Sequence, residues 1–244
     1  MSLLELKKVS LSFGGLQAVS GVNITVDKGE VLGLIGPNGA GKTSIFNLIS
    51  GFYRPSAGEI LFQGKSIVGM RPSQVAACGI ARTFQNIRLW NNMTVKENLC
   101  VSQQPRLGYG LFDLLLFTKR FRENEKKVQK AADAMLETLD LKEYAGELPK
   151  NLAYGIQRKV EIGRALVMQP TMLLLDEPAA GLNPSEVDKL ISLIKWMKDQ
   201  FKLTIWLIEH QMKLVMSACE RIAVLDFGQL ILSGLPSEIV EHPE

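Results

Sequence analysis

Gly36-Pro37-Asn38-Gly39-Ala40-Gly41-Lys42-Thr43 decides how the chain is read, because two glycines with four residues between them, followed by Lys and Thr, form a phosphate-binding loop pattern. Before it runs Val31-Leu32-Gly33-Leu34-Ile35, an apolar stretch of strand length. After it, residues 44–50 read as a helix with Ile45, Leu48 and Ile49 on one face. Gly36, Gly39 and Gly41 allow a turn tight enough for successive N–H groups to point at one anion, and the following helix adds its positive end. Lys42 then reaches the terminal phosphates of a nucleotide, and the Thr43 hydroxyl can hold a bridging magnesium.

Working outward, the bulk properties narrow the class. The 244 residues suit one α/β domain with an inserted lobe. A net charge of +3, from 28 basic and 25 acidic residues, lacks the basic excess of a nucleic-acid binder, and no nucleic-acid partner is expected. Cys78, Cys100 and Cys219 have no CxxC spacing and read as reduced core residues. Charge at Glu5, Lys7 and Lys8 comes too early for a signal peptide. The longest oily stretch, 111–117, is interrupted by Asp113 and falls far short of the roughly 20 residues that cross a bilayer.

Residues 3–9 and 22–26 alternate like strands, with a turn over 13–18 between them. Phe13 in that turn either stacks on a base or belongs to the core. Residues 59–62 and 80–84 read as short strands, the second ending at Gln85, a residue able to ligate magnesium and position water. A mixed loop with exposed apolar side chains follows, and Thr94-Val95-Lys96-Glu97 marks a helix start capped by Thr94. Residues 105–110 are turn-rich, 120–139 form a long helix, and the basic cluster Lys119, Arg120, Arg122, Lys126, Lys127 and Lys130 is diluted by Glu123 and Glu125. That cluster reads as a solvated face or as a membrane-surface or partner contact.

A further helix opens at Asn151 and stops before Pro170. Met172-Leu173-Leu174-Leu175-Asp176-Glu177 is an apolar run ending in acids, the pattern of a parallel strand buried on both faces that opens onto a site. Asp176 is placed to assist magnesium, and Glu177 to polarise an attacking water as general base. Residues 203–208 form another buried strand delivering His210, either a phosphate sensor or a structural histidine. Residues 222–226 and 229–232 read as a hairpin, followed by a short helix near 236–240.

Together these residues resemble the ATP-binding subunits of ABC transporters over essentially the whole chain. The landmarks are Phe13, Gly36 to Thr43, Gln85, Asp176-Glu177 and His210, in that order, with Leu152-Ala153-Tyr154-Gly155-Ile156-Gln157 at the signature position, where Leu-Ser-Gly-Gly-Gln is usual. The resemblance implies an α/β P-loop NTPase fold with a mostly parallel core sheet, an antiparallel β subdomain and an inserted α-helical subdomain near 86–168, all within one ABC ATPase domain of 1–244.

The same likeness assigns ATP to Phe13, Ala18, Gly36, Pro37, Asn38, Gly39, Ala40, Gly41, Lys42, Thr43 and Ser44. It assigns Mg2+ to Thr43, Gln85 and Asp176, and catalysis to Glu177, His210 and Gln85. Leu152, Ala153, Tyr154 and Gly155 would grip the nucleotide of a second ATPase subunit, identical or a paralogue, in a head-to-tail dimer. Ala153 lacks the usual hydroxyl, and one lost hydrogen bond to a charged group costs about 1.5–3 kcal/mol. Asn183 stands where Asp is commoner.

Arg82-Thr83-Phe84-Gln85, Pro178 to Pro184 and Ile208-Glu209-His210 narrow the resemblance to ATPases of branched-chain amino acid importers. The implied partners are two integral membrane permease subunits and, indirectly, a solute-binding protein, with the chain on the cytoplasmic face of the cell membrane. A lipid or lipopolysaccharide exporter ATPase and a non-transport ABC protein are the alternatives.

Overall fold

The computed structural model describes residues 2–104 and 110–241. In chain order the first part comprises β1 (Ser2–Phe13), β2 (Leu16–Asp27), β3 (Val31–Ile35), α1 (Lys42–Ile49), β4 (Ala57–Phe62), β5 (Lys65–Ser66), α2 (Pro72–Cys78) and β6 (Ile80–Arg82). The middle part holds α3 (Val95–Ser102), α4 (Leu111–Leu115), α5 (Lys119–Thr138) and α6 (Tyr154–Leu166). The last part holds β7 (Met172–Asp176), α7 (Pro184–Phe201), β8 (Thr204–Ile208), α8 (Met212–Ala218), β9 (Arg221–Asp226), β10 (Gln229–Gly234) and α9 (Pro236–Glu241).

These elements group into two compact units, the described residues of Asn86–Pro170 forming one and the flanking segments the other. In the flanking unit a six-stranded sheet runs β10-β9-β3-β8-β7-β6, parallel except for β10, and a four-stranded antiparallel sheet runs β2-β1-β4-β5. This is the α/β P-loop fold. Strands β7 and β8 are buried at every position because helices cover both faces of a parallel sheet, and their unbroken apolar sequences match that burial. Phe46 of α1 and Trp206 of β8, both fully buried, pack edge to face with ring centroids 5.7 Å apart.

Several boundaries differ from the sequence reading. The first strand extends through Phe13, and the turn closes on Gly14-Gly15, because register shifts along β1 and β2 absorb residues that break strict alternation. β6 ends at Arg82, although the Thr83 N–H still bonds the Leu174 carbonyl. α6 begins at Tyr154, since Pro149–Asn151 makes a 3-10 turn and Leu152 is extended. The sequence reading passed over α7, whose signals are nonetheless plain: Asn183 and Glu186 form a capping box, Pro184 opens the first turn, and Val187, Leu190, Ile191 and Ile194 are buried at helical spacing. Of the turn-rich 105–110 stretch, residues 105–109 lie outside the described residues; Gly110 precedes α4.

In the Asn86–Pro170 unit, buried Asn98 donates to the carbonyls of Trp90, Met93 and Thr94 and accepts from the Trp90 N–H at 2.9 Å. That clamp fixes the loop ahead of α3, where Thr94 caps the helix with Glu97 as the sequence suggested. Ile87 and Leu89 are half-buried rather than exposed, and the exposed Trp90 ring lies under the Arg164 guanidinium at 4.1 Å.

The cysteines do not all lie in the core. Cys219 is buried, Cys100 half-buried and Cys78 exposed at the end of α2. Burial pushes the Cys219 thiol up to about 12 and raises that of Cys100 as well. Since the thiolate is the reactive form, titration of the native chain with an aromatic disulfide at about pH 8 should release one fast equivalent. Cys78→Ser should abolish it, and the other two thiols should report only after denaturation.

Candidate nucleotide site

The loop leaving β3 is shaped by close backbone approach. Gly36 has φ 144°, and a Cβ there would lie 1.9 Å from the Leu225 carbonyl oxygen. Gly41 has φ 100°, and its Cβ would lie 2.4 Å from the Ala18 carbonyl oxygen. Neither position admits a side chain. Ala18, assigned to the nucleotide by resemblance, thus serves through its backbone as a wall behind the loop.

Pro37, Asn38 and Gly39 are exposed, Ala40 is buried with its carbonyl accepting from the Gly228 N–H at 3.0 Å, Thr43 is exposed and Ser44 half-buried. Lys42 folds over the loop, its Nζ donating to the carbonyls of Gly36 at 2.7 Å and Pro37 at 2.8 Å. Burial lowers its pKa, opposed by the negative charges of Glu177 and Asp176. Helix α1 has no side-chain cap and no acid in its first turn, so its leading N–H groups remain donors for an anion.

Phe13 is exposed and packs edge-on to Tyr53, 5.2 Å away, which rules out the core alternative. The sequence reading did not single out Tyr53.

Asp176, at the end of β7, is buried, and its Oδ2 accepts from Arg82 Nη2 at 2.7 Å. Arg82 Nη1 donates to Asn47 at 2.8 Å, and the guanidinium lies 4.9 Å from the Phe84 ring centroid and 5.5 Å from that of Phe46. Arg82 therefore ties the Asp176 carboxylate to α1 and to the strand leading to Gln85. It was visible in the sequence only as one charge in a short apolar strand, which a buried strand tolerates only when paired.

Glu177 follows with φ 45°, an uncommon conformation for a non-glycine residue, costing on the order of 1–3 kcal/mol. Its N–H donates to the Ile208 carbonyl at 2.9 Å. Its Oε2 accepts from Gln85 Nε2 at 2.7 Å and lies 3.9 Å from Nδ1 of exposed His210. Gln85, Glu177 and His210, far apart in sequence, meet at one point.

Glu209, which the sequence reading left without a role, is fully buried and accepts from the N–H groups of Ala179 at 2.8 Å, His210 at 2.9 Å and Gln211 at 3.1 Å. It fastens the backbone after Glu177 to the backbone of His210. Asn183 accepts from the Glu186 N–H at 3.0 Å as the cap of α7, a task Asn and Asp perform about equally.

In the other unit, Leu152 to Gly155 lead into α6 with Ala153 as a cap residue that makes no side-chain bond. The Tyr154 hydroxyl accepts from Arg158 Nη2 at 3.0 Å, and Arg158 pairs with Glu161 at 2.7 Å, both buried. The bulky Tyr154 ring is thus held against its own helix.

Residues 19–180 match the ABC transporter family. The chain belongs to the ABC transporter family as an ATP-binding subunit. It is 46% identical over 99% of its length to the high-affinity branched-chain amino acid transport ATP-binding protein LivG of Escherichia coli K12, covering 95% of that protein. It is 43% identical to BraF of Pseudomonas aeruginosa over the same shares of the two chains. A nucleotide-free ATP-binding cassette from an ABC transporter superposes with TM-score 0.86 at 32% identity, covering 100% of this chain and 96% of that one. An ADP-bound conformation of such a cassette gives the same values. The protein is therefore a nucleotide-binding ATPase subunit of a transporter.

Removing Arg82 tests how the ATP-binding subunit holds Asp176. Arg82→Met leaves a buried carboxylate without its cation, a loss of about 3–5 kcal/mol. Urea denaturation should show that loss, and adding Asp176→Asn should recover part of it. Additive losses would show that the pair is not coupled.

Proposed function

We propose that the chain hydrolyses Mg-ATP in a pair of ATPase subunits to power uptake of branched-chain amino acids through membrane permease subunits. The observation that carries the reading is Glu177 held at the end of a buried strand, 2.7 Å from Gln85 and 3.9 Å from His210, beside Lys42. The substrate class and direction follow from the relatives' names, which describe branched-chain amino acid transport.

In this scheme the whole chain is one ATPase domain, with 86–168 as its helical subdomain. The bare N-terminus of α1, the amides of Gly36 to Ser44 and the Lys42 ammonium hold the phosphates. Lys42 would exchange its two loop carbonyls for phosphate oxygens, retaining its bonds. Phe13, exposed beside Tyr53, offers a face to the base.

Thr43, Asp176 and Gln85 supply hard oxygen donors of the kind magnesium selects. Among the described residues no group of three His, Cys, Asp or Glu side chains can hold a metal by itself, which fits an ion completed by nucleotide phosphates. When bound, Mg2+ neutralises phosphate charge.

Glu177 accepts a proton from the attacking water, Gln85 orients that water, and His210 donates to the γ-phosphate. Leu152 to Gly155 of a second ATPase subunit close over the nucleotide head to tail, presenting the uncapped N-terminus of α6. Permease subunits receive the motion and a solute-binding protein delivers the substrate, at the cytoplasmic face of the membrane.

Glu177→Gln should keep ATP affinity within about threefold and lower turnover about 10²–10⁴-fold, the usual range for a general base. The variant should accumulate as a closed pair with ATP, seen by size exclusion. Unchanged turnover would overturn the base assignment. Ala153→Ser should tighten ATP-driven pairing about tenfold or more, the equivalent of about 1.5 kcal/mol from a regained charged hydrogen bond. Equal pairing would show that the amides of α6 suffice.

A further inference from the structure

We propose that α4 and the first half of α5 form a membrane-interface element that seats its apolar side chains in an anionic lipid surface. The inference rests on the surface of the Asn86–Pro170 unit and is independent of the catalytic scheme. Phe112 is 80% exposed, Leu115 70%, Leu116 73% and Phe117 60%. With Leu114, 42% exposed, these make five large apolar side chains facing solvent within six consecutive residues, unlike the scattered single exposures normal on a soluble surface.

The local geometry holds these residues outward. Asp113 accepts from the Gly110 N–H at 3.1 Å and the Thr118 hydroxyl at 2.8 Å, which closes the α4 turn and keeps its carboxyl below the usual carboxylate range. Phe117, at φ 47°, turns the chain into α5 and packs edge-on against Phe121, 5.7 Å away. Thr118 caps α5. The one acid in the apolar stretch is thus committed to shaping it.

Helix α5 supplies the complementary charge. Its inward face is settled by the burial of Val128, Ala132, Met135 and Leu136. Its exposed residues from 119 to 130 include Lys119, Arg120, Arg122, Lys126, Lys127 and Lys130 against a single exposed acid, Glu123. The sequence shows six cations diluted by two acids; the structure leaves Glu125 half-buried and the cations facing water.

An apolar tip beside a cationic band matches a bilayer whose acyl boundary takes the rings and whose headgroups carry negative charge. Stable anchoring of a peripheral protein takes two such signals together. No described helix is long and apolar enough to cross a membrane, and the family works beside one.

The test is flotation of the full chain with vesicles of phosphatidylcholine alone or with 30% phosphatidylglycerol, at low and at 0.5 M salt. The chain should float with the anionic vesicles at low salt and stay behind with the neutral ones. Lys119→Gln with Arg120→Gln and Arg122→Gln should weaken partitioning about 100-fold, at about 1 kcal/mol per cation. Phe112→Ser with Leu115→Ser and Leu116→Ser should lose flotation at every salt concentration. Both triple variants alter exposed residues outside the nucleotide site, so basal ATPase activity should match the parent and confirm folding.

Failure of the parent to float overturns the proposal. So does flotation that the apolar variant retains, which would mean adsorption by charge alone. Flotation restored only when permease subunits are present would likewise overturn it and assign the patch to a protein partner.

Discussion

The parallel register of the central sheet is the constraint on which the site depends. Leu34 of β3 pairs with Ile208 of β8, and Ile208 pairs with Asp176 of β7. Three strands therefore end at one level, and the residues just beyond them, Gly36, Glu209-His210 and Glu177, emerge side by side. A slip of one residue would turn each side chain to the opposite face. The register is held because all three strands are buried on both faces, with Phe46 and Trp206 filling the space between α1 and the sheet.

At that common edge the fold spends buried charge on fixing direction. Arg82 sets Asp176, and Glu209 binds three backbone amides around Glu177 and His210. Buried ion pairs add little net stability, because desolvation offsets their attraction. What they supply here is a single orientation for Asp176, Glu177 and His210 at the end of the sheet. The left-handed backbone of Glu177 belongs to the same economy, for it aims the carboxylate off the end of the strand toward Gln85 and His210.

The Asn86–Pro170 unit solves a different problem with similar means. Helix α6 presents an N-terminus without an acid or a side-chain cap. The Arg158–Glu161 pair holds Tyr154 through its hydroxyl, so the larger ring becomes part of the helix surface. Asn98 binds the loop before α3 from inside, leaving Trp90 and the α4 turn as the unit's apolar outer features.

By itself the sequence determined the phosphate-loop pattern, the acids at the end of β7 and the capped start of α3. Those features are local: glycine spacing, unbroken apolar runs and cap residues act within a few positions of one another. It also held the signals of α7 in Asn183, Pro184 and Glu186. Only the tertiary structure decided that Arg82 grips Asp176, that Glu209 braces His210, that Phe13 lies outside the core and that Cys78 is exposed. The Arg82–Asp176, Glu209–Ala179 and Phe13–Tyr53 contacts each join residues tens of positions apart, and short-range periodicity carries no record of such pairings.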